Sequence, residues 1–251
     1  LSASQSGIPF VAWDIAGFSG DVPSAELYQR SVAQAAFSAV MQVHSEISGD
    51  PQPSQARTPW NMAQRKGDDA CLETYRYYAN LRMNLIPYIY TEAKWSAETG
   101  EPLMRSMAYA FPQDGAAADY EFQYLFGRNL LIAPVTSPNA KRVEVYLPEG
   151  GWYDFFTGAR YESGVYQIPV AANEIPVFVR EGTILPVNTA QKGQLASYVG
   201  NDAGTYVKLN YLVFLGSGEY TWYDYVNKTS VAVKFDGTTL TENGMPTENW
   251  T

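Results

Sequence analysis

Hydrophobic and polar positions follow two different patterns along this chain, and the change comes near residue 110. Before it, short apolar runs alternate with segments whose apolar residues recur at helical spacing, which predicts strands alternating with helices. After it, short apolar runs are separated by glycine, proline and asparagine, which is typical of β-strands joined by turns. The pattern therefore predicts an α/β part followed by an all-β part with the strand spacing of a β-sandwich.

The first part contains two strand and helix pairs. We predict strands at residues 8–13 and 39–44 and a helix at residues 24–37 that begins at Ser24, whose hydroxyl is a common helix cap. A loop runs to about residue 67, and a long helix at residues 69–96 follows. Pro87 lies inside that helix and should kink it, because proline has no backbone N–H to donate. Two such pairs do not close an eight-stranded barrel.

The second part carries a series of short strands. The predicted strands cover residues 130–135, 141–147, 152–156, 166–170, 175–180, 183–186, 208–215, 219–226 and 230–235. Turn residues separate nearly all of them. Either the first hundred residues form a small α/β layer, or the rest of a barrel is on polypeptide outside this chain.

Composition excludes several classes of function. The 251 residues are 46% hydrophobic and 14% aromatic, enough for a large core, and their formal net charge is −9. A nucleic-acid partner is not expected, because binding phosphates needs clustered lysine and arginine. One cysteine and one histidine cannot supply a zinc cluster or a disulfide framework, so we expect no metal and no cofactor. No apolar run reaches the length needed to span a membrane, and the compartment is left open.

Asp14 is the most informative candidate for chemistry. It follows the apolar run 8–13 and precedes a loop of small residues that contains Phe18. In a barrel this loop would stand at the end where active sites are built. A lone aspartate after a strand is, however, more often a cap for the next helix. The residue types alone leave both interpretations open.

Several motifs, in order, resemble glycoside hydrolase family 31, the α-glucosidase and α-xylosidase family. Residues 13–18, W-D-I-A-G-F, are similar to its W/x-D-I-G-G-F signature, and residues 37–45, F-S-A-V-M-Q-V-H-S, to its F-x-P-x-x-R-x-H. The T-P-W of residues 58–60 and the Y-Y-A-N-L-R-M-N-L-I-P-Y-I-Y of residues 77–90 follow. Together with further matches in the β part, the resemblance covers about residues 6–188.

The resemblance implies a retaining α-glycosidase that acts from the non-reducing ends of α-linked oligosaccharides. Such enzymes need two catalytic carboxyl groups, and the family's motifs for both are absent from this sequence. We therefore expect residues 1–110 to be the last two βα units of a (β/α)8 TIM barrel, with no catalytic residue. Residues 111–188 would form a proximal C-terminal β-sandwich, and residues 189–251 the start of a distal β domain that is cut short.

The same resemblance assigns substrate-binding residues. Asp14, Phe18 and His44 match family positions that line the sugar subsite where cleavage occurs. A carboxylate and an imidazole can bind sugar hydroxyls, and an aromatic ring can cover an apolar sugar face. Trp13 and Trp60 are secondary candidates, since each could equally be packing in the core. The loop at residues 46–57 is expected to border the cleft.

Three departures from the family pattern bear on the substrate. Ala16 replaces a glycine, and Ala39 and Gln42 stand where the family usually has proline and arginine. Without the arginine, the chain lacks a guanidinium that can bind a carboxylate through two hydrogen bonds. The carboxylate that pairs with this arginine must therefore accept hydrogen bonds from another donor.

The expected partners are an α-linked oligosaccharide and the missing N-terminal half of the same enzyme, without which this chain should be inactive. Within the family, an α-xylosidase and an α-transglucosylase remain alternatives. Outside it, the alternative is a noncatalytic carbohydrate-binding or structural β module, which exposed aromatic platforms on the β part would favour.

Overall fold

The computed structural model describes residues 1–45, 56–190, 193–197 and 209–251. Its α-helices are α1 (Ser2–Gln5), α2 (Ala25–Ala35), α3 (Pro59–Lys66), α4 (Ala70–Asn84), α5 (Ile86–Thr99) and α6 (Met107–Ala110), with a 3₁₀ helix at Gly115–Asp119. Its strands are β1 (Met104–Ser106), β2 (Tyr124–Phe126), β3 (Leu130–Ile132), β4 (Arg142–Leu147), β5 (Trp152–Asp154), β6 (Arg160–Tyr161), β7 (Gly164–Pro169), β8 (Val177–Arg180), β9 (Ile184–Asn188), β10 (Leu209–Val213), β11 (Gly218–Asp224), β12 (Thr229–Phe235), β13 (Leu240–Glu242) and β14 (Met245–Pro246).

Helix α2 agrees with its sequence signal, whereas the long helix predicted around Pro87 does not. Ser24 caps α2, because its hydroxyl accepts a hydrogen bond from the backbone N–H of Leu27 at 3.1 Å. The predicted kinked helix is instead two helices, α4 and α5, separated at Leu85. Pro87 lies in the first turn of α5, where its missing N–H would have no partner inside the helix. The proline therefore starts a helix rather than bending one.

The two predicted strands in the first part are not formed. Residues 8–13 and 39–44 have no regular structure apart from one isolated parallel bridge between Asp14 and Gln42. In that bridge the N–H of Ile15 donates to the carbonyl of Gln42 at 3.2 Å. A strand needs a hydrogen-bonded neighbour, and Ile8 is instead 57% exposed. The prediction of two strands was wrong, although the parallel relation between the two segments is present.

A helix was also missed. The segment predicted as a loop contains α3, which starts at Pro59 directly after its N-cap residue Thr58 and ends at Gly67 in a left-handed conformation with φ 58°. Proline in the first turn and glycine just after the last turn are common helix boundaries.

The second part is built from antiparallel sheets. One has six strands in the order β1-β2-β3-β8-β5-β6, and the antiparallel pair of β4 and β7 forms a second layer. Between them lies a compact core that includes Leu131, Val145, Trp152 and Phe178. The predicted strands of this region are present with shifted ends, whereas the short strands β1, β2 and β6 were not predicted.

The last strands pack directly against the rest. β9 pairs with β10, and β11 to β14 form a four-stranded sheet. The larger hydrophobic core is continuous from Ile15 in the first part to Leu240 in the last sheet. The division at residue 188 stays a prediction, and packing is continuous across it.

Candidate functional site

Asp14 lies at the parallel bridge that joins the two segments flanking α2. Its Oδ1 accepts a hydrogen bond from the side-chain amide of Gln42 at 2.7 Å, and the Nδ1 of His44 is 3.7 Å from the same oxygen. The Asp14 side chain keeps 21% of its surface exposed. Gln42 therefore gives Oδ1 of this carboxylate one neutral hydrogen-bond donor.

Phe18 and His44 complete a small exposed cluster with this pair. Their ring centroids are 5.0 Å apart and their planes meet at 59°. Phe18 is 44% exposed, and the His44 side chain is 67% exposed. We call Asp14, Phe18, Gln42 and His44 the Asp14 cluster. The structure thus brings together the three residues that the sequence predicted as substrate-binding, with hydrogen-bonding groups and a ring open to solvent.

Arg57 holds the loop that carries Phe18, although no local sequence pattern marks it for this role. The residue is only 3% exposed. Its Nη1 donates to the carbonyl of Ala16 at 2.8 Å, and its Nη2 to the carbonyls of Ser19 at 2.7 Å and of Gly20 and Asp21 at 3.2 Å. A guanidinium has five N–H groups in a fixed plane, so one side chain can bind several carbonyls. The backbone beside Asp14 is thereby fixed.

The turn between Asp14 and Phe18 explains why Ala16 is tolerated in place of glycine. Ala16 has a φ of 61°, a conformation that costs an alanine about 1 kcal/mol. Its N–H donates to the hydroxyl of Ser31 at 2.7 Å, and Gly17 donates to the carbonyl of Asp14 at 2.8 Å. A Cβ on Gly17 would lie 2.8 Å from the Nη1 of Arg57. The strained turn is therefore held by hydrogen bonds on both sides.

The two tryptophan candidates, Trp13 and Trp60, have surroundings that differ from those of the Asp14 cluster. Trp13 packs against the large hydrophobic core and lines a separate cavity beside Arg30 and Gln34. Trp60 is 66% exposed on the first turn of α3. The described contacts bring neither of them to the Asp14 cluster. Of the loop expected to border the cleft, residues 46–55 lie outside the described residues.

Two further features, a metal cluster and a membrane-spanning helix, are absent from the described ranges. No group of three or more histidine, cysteine, aspartate or glutamate side chains is placed there to hold a metal ion. None of the helices in these ranges is both long and apolar enough to cross a membrane.

Comparison with known families identifies the class of protein. Residues 1–92 match the Glycosyl hydrolases family 31 TIM-barrel domain, and residues 100–185 match the Glycosyl hydrolase family 31 C-terminal domain. The chain belongs to glycoside hydrolase family 31. Its first part is therefore a portion of a TIM barrel, and its second part contains the family's sheet-rich C-terminal domain.

Three relatives show which members of this family the chain is similar to. The chain is 43% identical over 226 residues to an isomaltosyltransferase of Sporosarcina globispora, covering 89% of this chain and 21% of the relative. It is 42% identical over 180 residues to a 1,3-alpha-isomaltosidase of Kribbella flavida, covering 72% of this chain and 25% of the relative. The solved structure of a cycloalternan-forming enzyme from Listeria monocytogenes, in complex with a pentasaccharide substrate, superposes with a TM-score of 0.89 and 45% identity. The match covers 94% of this chain and 23% of that one. The chain spans between a fifth and a quarter of these relatives.

Proposed function

We propose that this chain forms one side of the sugar-binding subsite in a retaining, exo-acting enzyme of the α-glucosidase type. In this proposal residues 1–110 are the C-terminal part of the barrel, and residues 8–13 and 39–44 pair as strands only with neighbouring barrel strands on polypeptide that precedes them. That polypeptide also supplies the catalytic carboxyl groups. The observation that carries the proposal is the Asp14 cluster, in which Asp14, Phe18 and His44 meet across the bridge between two parallel segments.

The surroundings of Asp14 favour binding over catalysis. A retaining glycosidase needs two carboxyl groups about 5 to 5.5 Å apart. The described partners of Asp14 are instead the amide of Gln42 and the imidazole of His44. A carboxylate held in this way can accept hydrogen bonds from sugar hydroxyls while Phe18 covers an apolar face of the ring. Hydrogen bonds that strengthen as the sugar flattens toward an oxocarbenium ion lower the barrier.

Transfer to a second sugar is the alternative reaction, and the extent of similarity favours it. The glycosyl-enzyme intermediate of a retaining enzyme can be intercepted by water or by a sugar hydroxyl. The isomaltosyltransferase and the cycloalternan-forming enzyme match 89% and 94% of this chain, whereas the 1,3-alpha-isomaltosidase matches 72%. The two relatives named for synthesis are thus similar over much of the last β segment as well. We propose that the whole enzyme transfers α-glucosyl or isomaltosyl units.

The test compares this chain with a longer protein that carries it. The 251-residue chain should not release nitrophenol from p-nitrophenyl α-glucoside, whereas a protein that also contains the upstream barrel strands should. In the longer protein, Asp14→Ala should lower kcat/KM about 10- to 100-fold, the value of a lost hydrogen bond to a charged group. Asp119→Ala, which removes an exposed carboxylate from the β-rich part, is the matched control and should leave kcat/KM unchanged.

Product analysis with isomaltose or panose as substrate separates the two reactions. Longer oligosaccharides formed at low conversion indicate transfer, and glucose alone indicates hydrolysis. Turnover by the 251-residue chain itself would contradict the proposal that the catalytic carboxyl groups lie elsewhere. A longer protein that binds oligosaccharides without turnover would favour the noncatalytic module.

A further inference from the structure

A groove separates α4 from the β-sandwich and shares no lining residue with the Asp14 cluster. Its volume is about 600 Å³, within the range of small-molecule sites. We call it the α4 groove, and the side chains that matter for its chemistry are Glu73, Tyr77, Asp154, Phe156, Asn173 and Glu174. It combines exposed aromatic rings with hydrogen-bonding groups.

One wall presents the ring of Phe156 in a fixed position. Phe156 is 37% exposed and contacts the fully buried Phe37 edge-on, with ring centroids 6.4 Å apart. The turn that carries it is held by Asp154, whose Oδ1 accepts the N–H groups of Phe156 at 2.9 Å and Thr157 at 2.7 Å. The ring therefore loses little freedom when a ligand covers it.

The opposite wall presents Tyr77 from α4. Tyr77 is 42% exposed and packs edge-on against buried Tyr78, with centroids 5.1 Å apart. Burial raises the pKa of the Tyr78 phenol, so it stays protonated and donates to the carbonyl of Asn173 at 2.9 Å. Tyr78 also contacts Phe37 at 6.5 Å, so both exposed rings belong to one rigid aromatic cluster. The groove is preorganised on both sides.

The polar groups of the α4 groove suit a neutral polyol. Glu73 lies four residues before Tyr77 on α4, so the two side chains share one face of the helix. Asn173 and Glu174 stand on the other wall, and Glu174 also accepts the N–H of Ala171 at 2.8 Å. Among the residues that the structure describes, no lysine or arginine lines the groove, which disfavours an anionic ligand. Carboxylates and an amide beside apolar ring faces are what sugar hydroxyls and sugar C–H faces require.

We infer that the α4 groove is a second carbohydrate-binding site, separate from the Asp14 cluster, which holds an α-linked gluco-oligosaccharide between Tyr77 and Phe156. The choice of an α-gluco-oligosaccharide rests on the proposed function, whereas the site itself rests on the groove. Such a site would keep a polymeric substrate or product bound while its end occupies the subsite near Asp14.

Calorimetric titration with isomaltotriose tests the inference in the 251-residue chain carrying Asp14→Ala, which removes the predicted contact of the first subsite. Binding should persist in this background. Adding Tyr77→Ala or Phe156→Ala should weaken it about five- to tenfold, the value of one aromatic contact, and Tyr77→Phe should restore most of it. Tyr90→Ala is the matched control, because Tyr90 is also an exposed helical tyrosine at 45% exposure but lies outside the groove.

Two results would overturn the inference. One is isomaltotriose affinity that is unchanged by both Tyr77→Ala and Phe156→Ala while circular dichroism shows native folding. The other is binding of tetramethylammonium without binding of isomaltotriose, since an acidic aromatic groove can also hold a cation. Either result leaves the kcat/KM test of Asp14 untouched, so failure of this site is distinguishable from failure of the proposed function.

Discussion

Two carboxylates in this molecule, Asp14 and Glu92, have contrasting surroundings. Asp14 keeps 21% of its side chain exposed, and its two described contacts, with Gln42 and His44, both reach Oδ1. Glu92, on α5, is fully buried. A buried carboxylate is stable only when its oxygens are hydrogen-bonded, whereas an exposed one can keep acceptor sites for a ligand. Burial and partners thus separate a binding group from a structural one.

The environment of Glu92 joins three parts of the fold. Its Oε2 accepts the backbone N–H of Arg128 at 2.8 Å and the Nε of that residue at 2.9 Å. Its Oε1 accepts the Nη2 of Arg128 at 2.8 Å and the hydroxyl of Tyr220 at 2.7 Å. These hydrogen bonds raise the pKa of Arg128, and burial raises the pKa of Tyr220 well above its ordinary value. Glu92, Arg128 and Tyr220 therefore tie α5 to the β2–β3 turn and to β11.

The largest effect is expected at Glu92. Glu92→Ala leaves Arg128 and Tyr220 without their acceptor and should lower the free energy of unfolding by about 3 kcal/mol, the low end for breaking a buried ion pair. The low end applies because the Arg128 side chain is 39% exposed and can regain water. Urea unfolding followed by circular dichroism measures it. Glu92→Gln keeps one acceptor oxygen and should lower the free energy of unfolding by less than Glu92→Ala does. A loss below about 1 kcal/mol for Glu92→Ala would mean that the three parts do not depend on this carboxylate.

A pair of glycine variants isolates the packing around Glu92 from backbone strain. Gly127 and Gly67 have φ of 62° and 58°, so alanine is strained equally at both. A Cβ at Gly127 would lie 2.5 Å from the Tyr88 hydroxyl and 2.6 Å from the Cγ of Glu92, whereas nothing lies within 4 Å at Gly67. Gly127→Ala should therefore cost about 1 to 3 kcal/mol more than Gly67→Ala in thermal or urea unfolding. Equal losses of unfolding free energy in the two variants would show that the side chains around Glu92 shift easily to make room for the added methyl group.

The fold could be predicted from sequence where the signals are local. Ser24 marked the start of α2, because a cap acts within one turn of the helix. The spacing of apolar residues also predicted most strands of the β part. Residues 8–13 and 39–44 were predicted wrongly, since strand formation depends on neighbours that a local pattern does not specify.

The candidate site was predictable only through motifs. Asp14, Phe18 and His44 were found by resemblance to the family, and the structure gathers them. Arg57 was missed because its acceptor carbonyls lie 36 to 41 residues away in sequence. The Glu92 contact with Tyr220 spans 128 residues and has no local signal either. Long-range polar contacts of this kind are visible only after the chain has folded.

The smallest effect on stability is expected at Asp14. Asp14→Ala removes one hydrogen bond from Gln42 and a contact with an exposed histidine, so it should change the free energy of unfolding by less than about 1 kcal/mol. The measurement is the same urea titration used for Glu92→Ala, with His44→Ala as a second exposed variant. If Asp14→Ala lowered the free energy of unfolding as much as Glu92→Ala, the Asp14 carboxylate would be a structural group that holds the bridge together and not a ligand-binding group. Near-neutral stability combined with a lowered kcat/KM in the longer protein would instead show that the carboxylate acts in the reaction and not in folding, because a group needed for the fold would change both.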